Sequence, residues 1–131
     1  MKKALAMVEY KTVSSGMRAA DIMVKTAEVE VIEATTVCPG KYMVLISGEL
    51  SAVRASVDAA AAKMPDMLID KFVLGNPHDS IFTALYGTTD VGNPNALGVL
   101  ETFSSCAAIV AADIAAKTSL VDLIEIASKM A

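Results

Sequence analysis

ALAMVEYKTVSSGMRAADIMVKTAEVEVIE, residues 4–33, returns as ALGVLETFSSCAAIVAADIAAKTSLVDLIE at residues 96–125, without a gap and at a constant offset of 92 residues. Eleven of the thirty aligned positions are identical: Ala4/Ala96, Leu5/Leu97, Glu9/Glu101, Ala19/Ala111, Ala20/Ala112, Asp21/Asp113, Ile22/Ile114, Lys25/Lys117, Thr26/Thr118, Ile32/Ile124 and Glu33/Glu125. Average composition would give roughly two or three identities. The chain therefore begins the same structural unit twice. The second copy reaches Ala131, the counterpart of Pro39, where the sequence stops.

Working outward from the first copy, Ala4–Tyr10 is a short apolar run with the pattern of a mostly buried strand. Ser14 or Ser15 can cap a helix running through Met17, Ala20 and Val24 to about Ala27. The β-branched stretch Val29–Val37, the turn Cys38–Lys41 (CPGK) and the run Tyr42–Ser47 read as strand, turn and strand. From Ser51, Val53, Val57 and Ala60 share one helical face, and Pro65 ends that helix. A fourth strand over Met67–Leu74 and a short helix over Asp79–Tyr86 complete the unit. This order is β-α-β-β-α-β plus a helix, a ferredoxin-like α/β (α+β) fold in which a four-stranded antiparallel sheet carries helices on one face. The expected organisation is a complete domain over residues 1–87, a linker at 88–95 rich in Gly, Asn and Thr, and a partial second copy (β-α-β) over 96–131.

Composition narrows the function. The chain is 54% hydrophobic, with a mean hydropathy of +0.52, no Trp and only 5% aromatic residues. Small aliphatic surface in that excess suits flat packing between subunits better than a large ligand pocket. A net charge of −4 with no basic stripe gives nucleic acid no footprint. No run of eighteen apolar residues is present, so the chain reads as soluble and cytoplasmic, with no membrane partner. Cys38 and Cys106, lacking CxxC spacing, make neither a disulfide framework nor a single-chain zinc site.

The succession from EYKTVSSGMRAADIMVKTA through VCPGKYMVLISGELSAVRASVDAA to FVLGNPHDSIFTAL resembles the bacterial microcompartment (BMC) shell domain. The likeness is greatest to tandem-domain shell proteins of the propanediol-utilisation T type. The resemblance implies a non-enzymatic shell component, a homo-oligomer tiling as a trimer with hexagonal outline beside other shell proteins. Lys25, in the AADIMVKTA segment, and its counterpart Lys117 match the family's edge lysine. Asn76, Pro77 and His78 match its edge loop, and Cys38, Pro39, Gly40 and Lys41 fall at its pore loop. Closed rotational symmetry agrees with this picture, because it satisfies every interface of a repeated unit.

Cys38 is the residue with the sharpest chemistry. On a threefold axis one cysteine per chain becomes three convergent thiolates, and iron–sulfur clusters are held mainly by thiolates. The resembled T-type proteins carry a [4Fe–4S] cluster at the trimer pore through such a cysteine. The alternative is a reduced thiol lining a small-molecule pore, or a merely buried one. Gly40 can take φ > 0 in this turn, whose backbone N–H groups suit an anion. Cys106, inside a helical pattern, reads as a small core residue. The repeated acids Glu9/Glu101 and Asp21/Asp113 read as structural termini rather than an acid–base pair, and His78, the sole histidine, has no companion for metal or catalysis.

In a split βαβ sheet the third strand lies between the first and second, so the second copy supplies two strands and lacks the one that joins them. The reading favoured is truncation of a tandem chain. Two other classes remain as alternatives: a small-molecule-binding regulatory module on a ferredoxin-like fold, and a thiol-dependent redox enzyme, for which no base or resolving cysteine lies near Cys38.

Overall fold

A computed structural model describes residues 3–127; the ends of the expected units at 1–2 and 128–131 lie outside the described residues. Four strands, β1 (Ala4–Tyr10), β2 (Glu30–Val37), β3 (Lys41–Gly48) and β4 (Leu68–Leu74), form one antiparallel sheet in the order β2-β3-β1-β4. Four α-helices accompany it: α1 (Val13–Thr26), α2 (Leu50–Lys63), α3 (Ser80–Leu85) and α4 (Ser105–Thr118). The third strand does lie between the first two, as the split βαβ order requires.

β1 is the centre of the molecule. It pairs with β3 from Ala4↔Gly48 to Tyr10↔Tyr42, and with β4 from Leu5↔Leu74 to Tyr10↔Leu68. Its two faces serve two cores, which is why the strand reads as an unbroken apolar run rather than an alternating one. Ala4, Ala6, Val8 and Tyr10 join Tyr42, Val44 and Ile46 beneath α1 and α2. Leu5 and Met7 face the other way, with Met43, Leu45 and Phe72, and meet Ile81 of α3 with Cys106 and Ile109 of α4. The helices expected on one face are therefore α1 and α2; α3 and the second copy's α4 cover the opposite face.

Local chemistry sets the helix boundaries. The N-cap of α1 is Thr12, not Ser14 or Ser15, and its hydroxyl accepts from the Ser15 backbone N–H. The repeat counterpart behaves alike: Ser104 caps α4 and accepts from Ala107 N–H at 3.0 Å. Gly16 is required because α1 packs against Tyr42, whose ring a Cβ at that position would overlap.

The second copy departs from expectation at its strands. Residues 96–102 and 121–127 carry no strand, although the helix between them forms. A strand exists against a partner, and the counterparts of β3, at positions 133–140 by the 92-residue offset, fall beyond the sequence. Leu97 and Val99, counterparts of the fully buried Leu5 and Met7, are consequently 72% and 75% exposed.

Candidate functional site

The CPGK turn closes the β2–β3 hairpin at the end of the sheet where Tyr10 pairs with Tyr42. Cys38 is an exposed free thiol, Pro39 and Gly40 are exposed, and Gly40 has φ +82°, the left-handed conformation that glycine adopts without strain. Among the described residues no group of three His, Cys, Asp or Glu could hold a metal within one chain. One chain thus offers this turn a single soft ligand, a donor set that fits a metal cluster only as a site shared between copies.

Lys41 points back into the protein. Its ammonium lies 3.4 Å from Oε2 of Glu9, a carboxylate with no exposed surface, whose Oε1 accepts from the Ser105 backbone N–H at 2.9 Å. Ser105 opens α4, where unpaired N–H groups and the helix dipole favour an anion. Beside it the Ser104 hydroxyl donates to Asp70 of β4 at 2.6 Å. Glu9 therefore joins three things: the central strand, the residue closing the cysteine turn, and the first turn of the second copy's helix. An acid inside a buried apolar strand needs such partners. That was the signal available in the sequence, where Glu9 was read only as a structural terminus.

At the other end of the sheet α4 makes a second clamp. Asp113, nearly buried, pairs with Lys117 at 2.8 Å and accepts from the His78 backbone N–H at 2.8 Å, while Lys117 donates to the Asn76 carbonyl at 2.7 Å. The structure thus brings Asn76, His78 and Lys117 together and buries Pro77 between them in sequence. Lys25 is not part of this cluster: it pairs only along its own helix, with Asp21 at 2.9 Å, and both are exposed. The His78 ring is engaged locally, its Nδ1 accepting from Ser80 N–H at 3.2 Å and lying 2.7 Å from the Ser80 hydroxyl.

Between the clamps α4 lies along the sheet, its fourteen residues spanning about 21 Å, close to the ~23 Å of a seven-residue strand such as β1. Cys106 is packed over β1 with its Sγ 4.0 Å from the Met7 carbonyl, and burial, reinforced by the Asp70 and Glu9 carboxylates, pushes its thiol far above the ordinary range. It is a core residue, not a nucleophile. No described helix is long and apolar enough to cross a membrane.

The BMC domain matches this chain over residues 4–77 and again over 96–131. A bacterial microcompartment shell protein, PduT of Citrobacter freundii, is 36% identical over 126 residues, covering 96% of this chain and 68% of that protein. Carboxysome shell protein CsoS1 of Prochlorococcus marinus is 37% identical over 98 residues, covering 72% of this chain and 89% of its own length. The crystal structure of a microcompartment protein from Desulfitobacterium hafniense superposes with a TM-score of 0.79 at 40% identity, covering 99% of this chain and 72% of that one. These relatives are structural shell components and not enzymes. With the domain matched twice in one chain on the split βαβ sheet, the protein belongs to the BMC-domain family of bacterial microcompartment shell proteins.

Proposed function

We propose that this chain builds the cytoplasmic shell of a bacterial microcompartment as a trimeric, pseudohexameric tile, beside other shell proteins, with the Cys38–Lys41 turns surrounding a central pore. Residues 1–87 act as one complete BMC domain, 88–95 as the linker, and 96–131 as the opening part of a second. Lys25, Asn76, Pro77, His78 and Lys117 lie at the tile edge. The observation that carries this reading is the docking of α4, a piece of the second domain, across the outer face of the first domain's sheet, held by Glu9 at one end and by the Asn76–His78 loop at the other. A chain that carries a unit-to-unit seam inside itself is suited to a ring of such units.

Three Cys38 thiolates, one from each chain, would hold a [4Fe–4S] cluster at the pore, leaving its fourth iron to another ligand. Such a cluster supplies one-electron transfer across the shell; without it the same pore passes small molecules. Exposure of Cys38 on a glycine-shaped turn supports the shared site.

Anaerobic purification, followed by native mass, visible absorption and iron content, tests both levels. The expected result is a trimer with a broad visible band and about four irons per three chains, and a colourless Cys38→Ser variant of unchanged native mass. A monomer at micromolar concentration removes the tile, and a colourless, iron-free wild-type trimer removes the cluster alone.

A further inference from the structure

The seam between the repeats is filled once inside the chain, and both of its halves occur a second time on the surface. Moving the inward residues of α4 back by 92 positions turns Ser105, Cys106, Ile109 and Asp113 into Val13, Ser14, Met17 and Asp21 of α1. These point away from α1's own core, which is built from Ser15, Gly16, Ala19 and Met23. Met17 is 58% exposed, and Asp21 is already paired with Lys25 at 2.9 Å, as Asp113 is with Lys117. Moving the receiving residues forward by 92 turns Leu5, Met7 and Glu9 into Leu97, Val99 and Glu101, all exposed.

We propose that a second copy of this chain lays the outward face of its α1 on segment 96–102, repeating between chains the seam that α4 makes within one. In that seam Met17 covers Leu97 and Val99, and the Glu101 carboxylate accepts from the Val13 backbone N–H at the start of the incoming helix, as Glu9 does from Ser105. Three arguments favour a second copy over an unrelated occupant. Both surfaces are sequence repeats of a pair already in contact. Charge is complementary, an acid meeting a helix N-terminus. The exposed apolar residues, Met17 on one side and Leu97 and Val99 on the other, stand at the positions that Ile109, Leu5 and Met7 hold in the buried cluster. Residues 97, 99 and 101 come to one side once the segment is extended, because side chains alternate along a strand. This seam rests on the shell-tile reading and names the surfaces that close the ring.

The test uses the full chain in a Cys38→Ser background with Ser14→Cys and Val99→Cys, the counterparts of the touching Cys106 and Met7. A short bismaleimide is expected to join chains into covalent dimers and trimers. Either single variant should leave monomers, as should the control pair Ser51→Cys with Val99→Cys, since Ser51 lies on α2. Separately, Met17→Asp and Glu101→Ala are expected to raise the association constant for dissociation by about tenfold or more, read by sedimentation equilibrium, with the chain's own unfolding midpoint unchanged. An oligomer that crosslinks no better through Ser14→Cys/Val99→Cys than through the control pair overturns the seam and leaves the tile standing. A chain that stays monomeric overturns both.

Discussion

Residues 4–10 and 96–102 are counterparts at the 92-residue offset, and their environments differ almost completely. The first lies between β3 and β4 with every residue buried, while the second runs as irregular chain with Leu97, Val99 and Leu100 largely in solvent. The helices that follow diverge as well. α1 buries Ser15, Gly16, Ala19 and Met23 against its own sheet, whereas α4 buries Ser105, Cys106, Ile109, Ala112 and Asp113 against its neighbour's. Each helix of this unit therefore has two working faces, one folding its own domain and one joining it to the next. A repeat reports which residues are equivalent; the partner present decides which face is used.

Glu9 and Glu101 should break this symmetry most strongly. Glu9→Ala leaves the part-buried Lys41 ammonium and the Ser105 N–H without their shared carboxylate, at an expected cost of about 3 kcal/mol. In dilute, unassembled protein Glu101→Ala should leave the urea midpoint where it was, because Glu101 is exposed. Ile109→Ala is expected to cost about 2–3 kcal/mol in the same measurement, since it opens the cluster beneath α4. Met17→Ala, at the equivalent position of α1, should cost almost nothing until chains associate.

Gly16 and Ala108 sharpen the comparison. Gly16→Ala forces a methyl into Tyr42 and should destabilise by about 2 kcal/mol. Ala108→Gly should cost only about 1 kcal/mol, the helix-propensity difference.

The two cysteines differ in pH response. Iodoacetamide should label Cys38 in cluster-free folded protein and reach Cys106 only on unfolding. Because burial raises the Cys106 thiol in the folded state, folded and unfolded forms bind the same proton below about pH 8.5. Above that pH the unfolded thiol ionises first, and stability should fall with a limiting slope of about 1.4 kcal/mol per pH unit. Cys106→Ala should remove that slope between about pH 8.5 and 10; beyond it the raised Tyr10 phenol acts with the same sign. Tyr10→Phe should have the smallest effect, within about 0.5 kcal/mol and in the stabilising direction, since the buried Tyr10 hydroxyl has no partner among the described residues.

Most elements of the first unit could be read from its residues because each carries its own local signal: the apolar run of β1, the Pro65 stop after α2, the Pro-Gly turn at 39–40. Family likeness was legible for a different reason, five motifs standing in order. The cap of α1 was misplaced by two or three residues because Thr12, Ser14 and Ser15 all have the right chemistry, and only backbone geometry separates them. What could not be read was long-range. Nothing local to Asp113 distinguishes it from Asp21, yet one is nearly buried against the Asn76–His78 loop and the other is exposed on its helix. The same holds for the strands of the second copy, whose residues favour extended structure but whose pairing depends on a neighbour.

The irregular stretch from Gly87 to Phe103 joins α3 to α4 and also governs the order of events during synthesis. A tether of this length holds α4 near its docking face at an effective concentration on the order of millimolar, far above the concentration of free chains in a cell. The first unit's apolar outer face is thus covered by its own downstream helix before another molecule can compete for it. Ring closure becomes the later, concentration-dependent step, and the tether acts as a timer that separates folding from assembly.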